Sequence, residues 1–482
     1  YMAFLIGGAN SAADTGYDIE NSLRFDDLTA HLTFTPGSAG NRRKFTVSMW
    51  LKISSAGKDT AGHHIYFAGG GSNFGSIYLN GDRIFFYGES PGYNLNPSPL
   101  LRDPAAWYHI VCNADTEQGT AADRANVYIN GVKQTAFETE TYPAEDADLM
   151  YNNNGAHAIG AYEPAGGVSS GLNFWDGYIA EMCMIDGSQL AASAFGETDE
   201  DSGIWKPKDF KDDVTFGTNG FYLEFKQTGT SADASGKGAD TSGEDNHWDD
   251  NNMSAFDQCT DTPTNNFATL NPLWAGAEVT LSEGNCKYAG GTTAGQGPAQ
   301  ACGGTFGVSN GKWYFEVTRK SNDAMVGIMS ADTRIGTDNP FGSVFNGKGH
   351  GVFTDDGNAR SGNANTAYGD SLADDEILGV ALDMDNGAIY YSEQGTFYDS
   401  GDPTSGASKT GAASNFTAVD TYVLGYIADG GSGASSVYEF NFGNPPHSIS
   451  SGNADANGYG NFEFAVPSGY FAPCTKNLAE YG

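Results

Sequence analysis

The stretch Asp261-Thr262-Pro263-Thr264-Asn265-Asn266-Phe267-Ala268-Thr269-Leu270-Asn271-Pro272-Leu273 has no hydrophobic period, while on both sides of it short alternating runs are separated by tight turns. A segment without such a period forms neither an amphipathic helix nor a half-buried strand. The chain therefore divides into two halves, each reading as a complete β-sandwich. At 482 residues it is also too long for one ordinary core. Its 66 Gly and 13% aromatic residues, against 17% charged ones, suit many short strands and argue against long surface helices. The expected fold class is all-β: two antiparallel β-sandwiches joined by a long polar connector.

Charge narrows the partners. Against 60 Asp and Glu stand 24 Lys and Arg, a formal net charge of −36, so phosphate backbones are repelled and nucleic acid is not an expected partner. Solubility in salty surroundings is the plain meaning of that charge, and divalent cation binding the alternative. Met2-Ala3-Phe4-Leu5-Ile6-Gly7-Gly8 has no basic residue, and its apolar run falls short of the roughly 7–15 residues of a signal-peptide core. No segment approaches the ~20 apolar residues that span a bilayer, so membrane insertion is not expected. Six cysteines (Cys112, Cys183, Cys259, Cys286, Cys302, Cys474) form no Cys-x-x-Cys pair, which weakens zinc and redox readings. Cys286 and Cys302 flank a Gly-rich loop that a disulfide would close, against the reducing cytosol in which such a chain folds.

In the first half, Asn-Gly turns announce hairpins at Ile77 to Phe86 and at Val127 to Lys133, and Trp107 to Cys112 alternates like a strand with one buried face. In order along the chain, Asn21-Ser22-Leu23-Arg24-Phe25, Phe45-Thr46-Val47-Ser48-Met49-Trp50-Leu51-Lys52, the Trp107 strand with its Tyr128 to Gly131 hairpin, and Phe174-Trp175-Asp176-Gly177-Tyr178-Ile179 resemble the laminin G-like, concanavalin A-like family. In the second half, Asn310-Gly311-Lys312-Trp313-Tyr314-Phe315-Glu316-Val317, Met325-Val326-Gly327-Ile328, Gly379 to Tyr391 and Phe440-Asn441-Phe442-Gly443 resemble the ordered strands of SPRY domains. The 261–273 stretch, the pattern Gly238-x-Asp240-x-Ser242-Gly243-x-x-Asn246-x-Trp248, and the ending Pro467 to Phe471 followed by Thr475 to Leu478 resemble structural proteins of tailed, largely marine, bacteriophages. In those proteins such a connector joins the two domain types.

The resulting organisation is residues 1–19 as an N-terminal attachment segment, 20–225 as a concanavalin A-like sandwich, 226–275 as an extended connector and 276–482 as a SPRY-like sandwich. Within the connector, Gly229 to Asp250 is too polar to bury itself and is expected to be flexible and open to proteolysis. Trp248, which breaks that polarity, is expected to dock on a neighbour.

Glucanases on this kind of sandwich place two carboxylates about 5–5.5 Å apart from an E-x-D-x-x-E strand, a pattern missing from this sequence. Glu138 and Glu140 offer carboxylates on one face of an extended segment, and a solvated acidic loop explains them as well. His63 and His64 are adjacent, so a strand would point them to opposite faces and disfavour joint metal ligation. Calcium needs about six to eight oxygens, and Asp199 with Asp201, or Asp245 with Asp249, lack EF-hand spacing, as does Asp383-Met384-Asp385-Asn386-Gly387. No catalytic residue, no metal site and no cofactor is therefore expected, with calcium left open. The ligand-binding residues are unknown at this stage. By likeness to SPRY recognition loops, Asp332 to His350, Asp355 to Asp370 and Thr396 to Asn415, with Phe341, Phe345, Tyr368 and Phe397, are the places where a ligand would be sought.

What the resemblance implies is a non-catalytic virion structural protein, a fibre, appendage or head-decoration subunit. It would be made in the host cytoplasm and exposed on the particle. Other virion proteins, further copies of itself and a host-surface glycan are its expected partners. A bacterial adhesin or secreted lectin, and a polysaccharide depolymerase, are the alternatives.

Overall fold

Period-two alternation does in the structure what it promises in the sequence. The computed structural model describes residues 5–6, 16–26, 28–56, 62–70, 72–162, 173–292, 298–332, 349–361, 364–417, 421–429 and 433–482. Asp14–Thr264 form one compact unit; Asn265–Gly482, with the strand Leu5–Ile6, belong to a second. Both are nearly all-β.

The first unit is a sandwich of two antiparallel sheets. One runs Val132–Lys133, Ala125–Ile129, Trp107–Asp115, Lys44–Ile53, Asp176–Asp186, Ser22–Asp26, Gln258–Cys259, with Phe221–Leu223 alongside Asp176–Asp186. The other runs Phe137–Thr141, Tyr93–Pro97, Arg83–Gly88, Asn73–Asn80, His63–Gly70, His157–Ile159, His31–Phe34, Asp249–Asn251. Val47, Met49, Leu51, Ile110 and Ile179 of the first meet Ile65, Ile77, Leu79, Ile84, Phe86 and Leu95 of the second in one buried cluster. Burying each such side chain contributes about 1.5–3 kcal/mol, so the inner register of every strand is fixed by this core. The expected hairpins are present. Asn130 and Gly131 both take left-handed φ (47° and 79°) as a two-residue loop demands. In the Ile77–Phe86 hairpin the loop is Gly81-Asp82, because Asn80 already pairs with Arg83.

In the second unit, one sheet contains Leu5–Ile6, Phe306–Val308, Tyr422–Asp429, Ala324–Ser330, Gly349–Phe353, Ala359–Ser361 and Ala364–Thr366, with Leu270–Ala275 and Ala301–Gly304 attached. The facing sheet contains Thr280–Ser282, Lys287–Ala289, Val437–Asn441, Lys312–Ser321, Ile377–Asp383, Ala388–Glu393 and Thr396–Phe397, with Ser414–Asn415 on Ala388–Glu393. Phe306, Val326, Ile328 and Leu424 pack against Phe315, Val317, Val380, Leu382 and Phe440. The short helix Thr475–Tyr481 closes the chain.

One expectation differs from this picture. The stretch read as an extended connector, 226–275, is folded. Asp249–Asn251 and Gln258–Cys259 are edge strands of the first unit, and Leu270–Ala275 belongs to the second. Of the attachment segment 1–19, Leu5–Ile6 pairs in parallel with Phe306–Gly307, while Tyr17 and Ile19 pack within the first unit; the rest of residues 1–15 lies outside the described residues. Cys286 and Cys302 do not bridge. All six cysteines are buried and none is in a disulfide; Cys302 stands on Ala301–Gly304, and Cys286 just precedes Lys287–Ala289 of the facing sheet.

Candidate functional site

The polar motifs are structural stitches. Asp240 accepts from the backbone N–H of Tyr222 (2.8 Å) and Ser242 (2.9 Å) with one oxygen and from Asn246 N–H (2.9 Å) and the Ser242 hydroxyl (2.9 Å) with the other. Asn246 donates to the carbonyls of Thr218 and Gly220. Trp248, fully buried, lies among Phe34, Tyr66 and Phe221, and a Cβ on Gly238 would collide with its carbonyl. Lys237, also fully buried, pairs with Asp250 at 2.6 Å. The glycine, the Asp240 acceptor, the Asn246 donor and the tryptophan thus form one knot against Phe221–Leu223. In the second unit, buried Glu316 accepts from the N–H groups of Glu463 (2.9 Å) and Phe464 (2.8 Å) and from the Tyr314 hydroxyl. Buried Asp383 pairs with Lys312 at 3.0 Å and accepts from Asn386. Asn477 donates to Asp455 and to the Ala472 carbonyl.

The candidate catalytic and metal residues are dispersed. Glu138 and Glu140 are exposed on Phe137–Thr141, one near Arg83 (3.4 Å), the other accepting from the Tyr142 hydroxyl. His63 and His64 bond in separate directions, to the Phe174 carbonyl and the Ser76 hydroxyl. Asp199 caps its own turn by accepting from Ser202 and pairs with Lys206. Those hydrogen bonds hold its carboxyl down at about 2. Asp245 and Asp249 are exposed, and among the described residues no group of three or more His, Cys, Asp or Glu side chains is placed to hold a metal. Phe341 and Phe345 lie outside the described residues. Tyr368 is half-buried against Tyr391 and Tyr398 and donates to the Gly411 carbonyl; Phe397 packs on a buried cluster.

A serine-histidine contact that sequence gave no hint of is wired against catalysis. Ser48 Oγ lies 2.9 Å from His109 Nε2, while Trp205 Nε1 donates to His109 Nδ1 at 3.0 Å. An indole only donates, so Nδ1 is bare and the ring proton of neutral His109 is on Nε2, pointing at the serine. Burial pushes the imidazole down to about 3, so it stays neutral. His109 therefore donates to Ser48 and takes no proton from it. Both side chains are sealed from solvent.

Glu181 is a second buried group. It sits at a bulge of Asp176–Asp186 with φ 46°, and accepts from the hydroxyls of Tyr17 (2.5 Å) and Tyr222 (2.6 Å) through one oxygen. Its other oxygen is unpartnered, and burial raises the carboxyl to about 8. The adjoining cavity, about 40 Å³ and lined also by Glu20, Glu224 and Lys226, has room for a water and not for a sugar ring.

The outward face of the second sheet of the first unit is different. Where Ile77, Leu79, Ile84 and Phe86 point into the core, the alternate positions carry aromatic rings. Register sets His64 opposite Tyr78 and Tyr78 opposite Phe85. Tyr78 stacks on Phe85 at 4.7 Å with 12° between planes, and His64 on Tyr78 at 5.2 Å with 22°. Phe74, Tyr87 and Tyr162 join them around buried Phe67. All but Phe67 keep some exposure. The next strand brings Asn94 opposite Tyr87, with Asn96 two residues on, and Thr141 and Thr139 opposite those amides. The side-chain oxygens of Asn94 and Asn96 and Arg83 Nε make no hydrogen bond within the protein. Stacked rings beside unmet amide groups on one sheet face form the candidate site.

No curated protein matches the chain. Among solved structures, the SPRY domain of human HERC1 is similar at 12% identity, covering 36% of this chain and 96% of that one, with a TM-score of 0.28. Mouse laminin alpha1 chain domains LG4-5 are similar at 12% identity, covering 97% and 89%, with a TM-score of 0.30. The heptameric SAP-like pentraxin of Limulus polyphemus is similar at 18% identity, covering 36% and 80%, with a TM-score of 0.28. Residues 26–191, which hold most of both sheets of the first unit, match the laminin G-type model of the Concanavalin A-like lectin/glucanases superfamily.

Proposed function

We propose that this protein is a non-catalytic, glycan-binding structural subunit of a tailed-phage particle, and that the aromatic and amide face of its first sandwich is the binding surface. The observation that carries the binding reading is the juxtaposition of Tyr78, Phe85 and Tyr87 with the unpartnered amide oxygens of Asn94 and Asn96. Sugars present C–H surface and hydroxyls together, and a site for them pairs aromatic side chains with a few polar groups. The lectin half of the superfamily description over residues 26–191 agrees with this, and the inverted Ser48–His109 tautomer speaks against acyl chemistry. The phage reading rests on the resemblance of residues 238–248, 261–273 and 467–478. Display in many copies would raise avidity by about 10²–10⁴ over a weak single site.

Retention of the full chain on immobilised polysaccharides tests the binding reading. Tyr78→Ala and Phe85→Ala should each cut retention about tenfold with the far-ultraviolet circular dichroism unchanged; undiminished retention would move the site elsewhere. Mass spectrometry of purified phage particles tests the second part, and a chain found free in culture supernatant instead would favour a secreted lectin.

A further inference from the structure

We infer that the ligand of this face is a single, soluble, uncharged saccharide chain, neither an anionic polysaccharide nor the flat surface of a crystalline one; the inference rests on the glycan-binding reading above. Ring orientation is the first ground. The His64, Tyr78 and Phe85 rings lie face to face with one another across neighbouring strands, so they stand up from the sheet and turn edges outward. Rings in that posture cannot form the coplanar table that a crystalline polysaccharide surface requires. They leave ridges between which one chain packs its C–H edges.

The second ground is the polar strip. The Asn94 and Asn96 side-chain oxygens, which make no hydrogen bond within the protein, sit beside the rings, and Asn96 is 94% buried, its residual exposure being 6%. A sugar hydroxyl both donates and accepts, so it pairs with either end of an amide. Neutral hydroxyls are what this strip can satisfy.

Charge is the third. Arg83, the cation of the outward positions just described, already pairs with Glu138 at 3.4 Å. His64 is held neutral, burial pushing its imidazole down to about 3. Glu89, bonded to the Tyr87 hydroxyl, and Glu140, bonded to the Tyr142 hydroxyl, add negative charge at the margin. Carboxylate or sulfate groups on a glycan would meet these acids, and the −36 of the whole chain, with no unpaired lysine or arginine among the described residues of this face to receive them.

Matched pairs decide the matter with the unaltered full chain. Dextran, laminarin and galactomannan are immobilised beside their carboxymethylated derivatives, and microcrystalline cellulose is added as a planar surface. Expected are retention on at least one parent polymer, at least tenfold weaker retention on its derivative, a gap that narrows in 1 M salt, and no retention on cellulose that Tyr78→Ala abolishes. The double change Asn94→Ala/Asn96→Ala should weaken retention on the parent about tenfold or more. Equal or tighter retention on the carboxymethylated member, or cellulose binding lost in Tyr78→Ala, would overturn this inference and leave glycan binding standing. Retention on none of the polymers would sink the glycan reading itself.

Discussion

Lys52 Nζ lies 2.6 Å from Asp261 Oδ2 with both side chains buried, tying the strand Lys44–Ile53 to the first residue of the 261–273 stretch. The other oxygen of Asp261 accepts from Trp107 Nε1 at 3.1 Å. Removing one member of a buried pair leaves an uncompensated charge at a cost of about 3–5 kcal/mol, whereas removing both charges is far cheaper. Lys52→Met should therefore lower the stability of residues 14–264 by that amount. Lys52→Met/Asp261→Asn should recover most of it, because the amide still accepts from Trp107. Urea denaturation followed by tryptophan fluorescence gives both values. A cost below about 1 kcal/mol for the single change would mean the pair is solvated.

Residues 229–250 should resist proteases. Polarity suggested an open linker, but Lys237 and Asp250 are buried together and Trp248 is sealed. Trp248→Ala should cost about 3–5 kcal/mol, as deletion of a large buried aromatic does. Timed proteolysis with mass spectrometry should find slow cleavage there in the native protein and rapid cleavage in the variant. Rapid cleavage in both would restore the linker.

Glu181 makes the first unit lose stability as pH rises. Its carboxyl titrates near about 8 when folded against an ordinary 4.5, so between those values the folded state holds a proton that the unfolded state has released. The stabilisation is complete below about pH 4.5 and gone once pH has risen through about 8, an effect on the order of a few kcal/mol. Glu181→Gln cannot ionise and should flatten this slope while keeping an acceptor for Tyr17 and Tyr222. Melting curves from pH 4 to 9 would show it, and parallel profiles for both proteins would refute it.

In the second unit, Glu316→Ala should cost about 2–4 kcal/mol by stranding the N–H groups of Glu463 and Phe464 and the Tyr314 hydroxyl. The loss should appear in the transition of residues 265–482, with exchange of the 463 and 464 amides accelerated by hydrogen exchange. Unchanged exchange would show that the terminal segment is held by other contacts.

The strands were legible because a strand prints its two faces into alternate letters, as in Phe45-Thr46-Val47-Ser48-Met49 or Phe315-Glu316-Val317. What polar motifs do was not. Asp240, Lys237 and Glu316 read as solvent-facing by type, and distant partners, Tyr222, Asp250 and Phe464 at 18, 13 and 148 residues along the chain, help make their burial affordable. The candidate face was in the sequence all along. In Ile77 to Tyr87 the inward set is Ile77, Leu79, Ile84 and Phe86, which leaves Tyr78, Phe85 and Tyr87 for the other side. Because both sets are apolar or aromatic, the hairpin shows no contrast, and the outward rings pass for core.

Tyr78, between Ile77 and Leu79, illustrates what such a hairpin permits over evolutionary time. Its neighbours are locked to the sandwich interior, while its own ring packs among His64, Phe85 and Tyr87 on the outer face. One strand thus carries two independent inheritances. Substitution along the outward series would change what the proposed binding face recognises while the fold and its buried knots stay as they are.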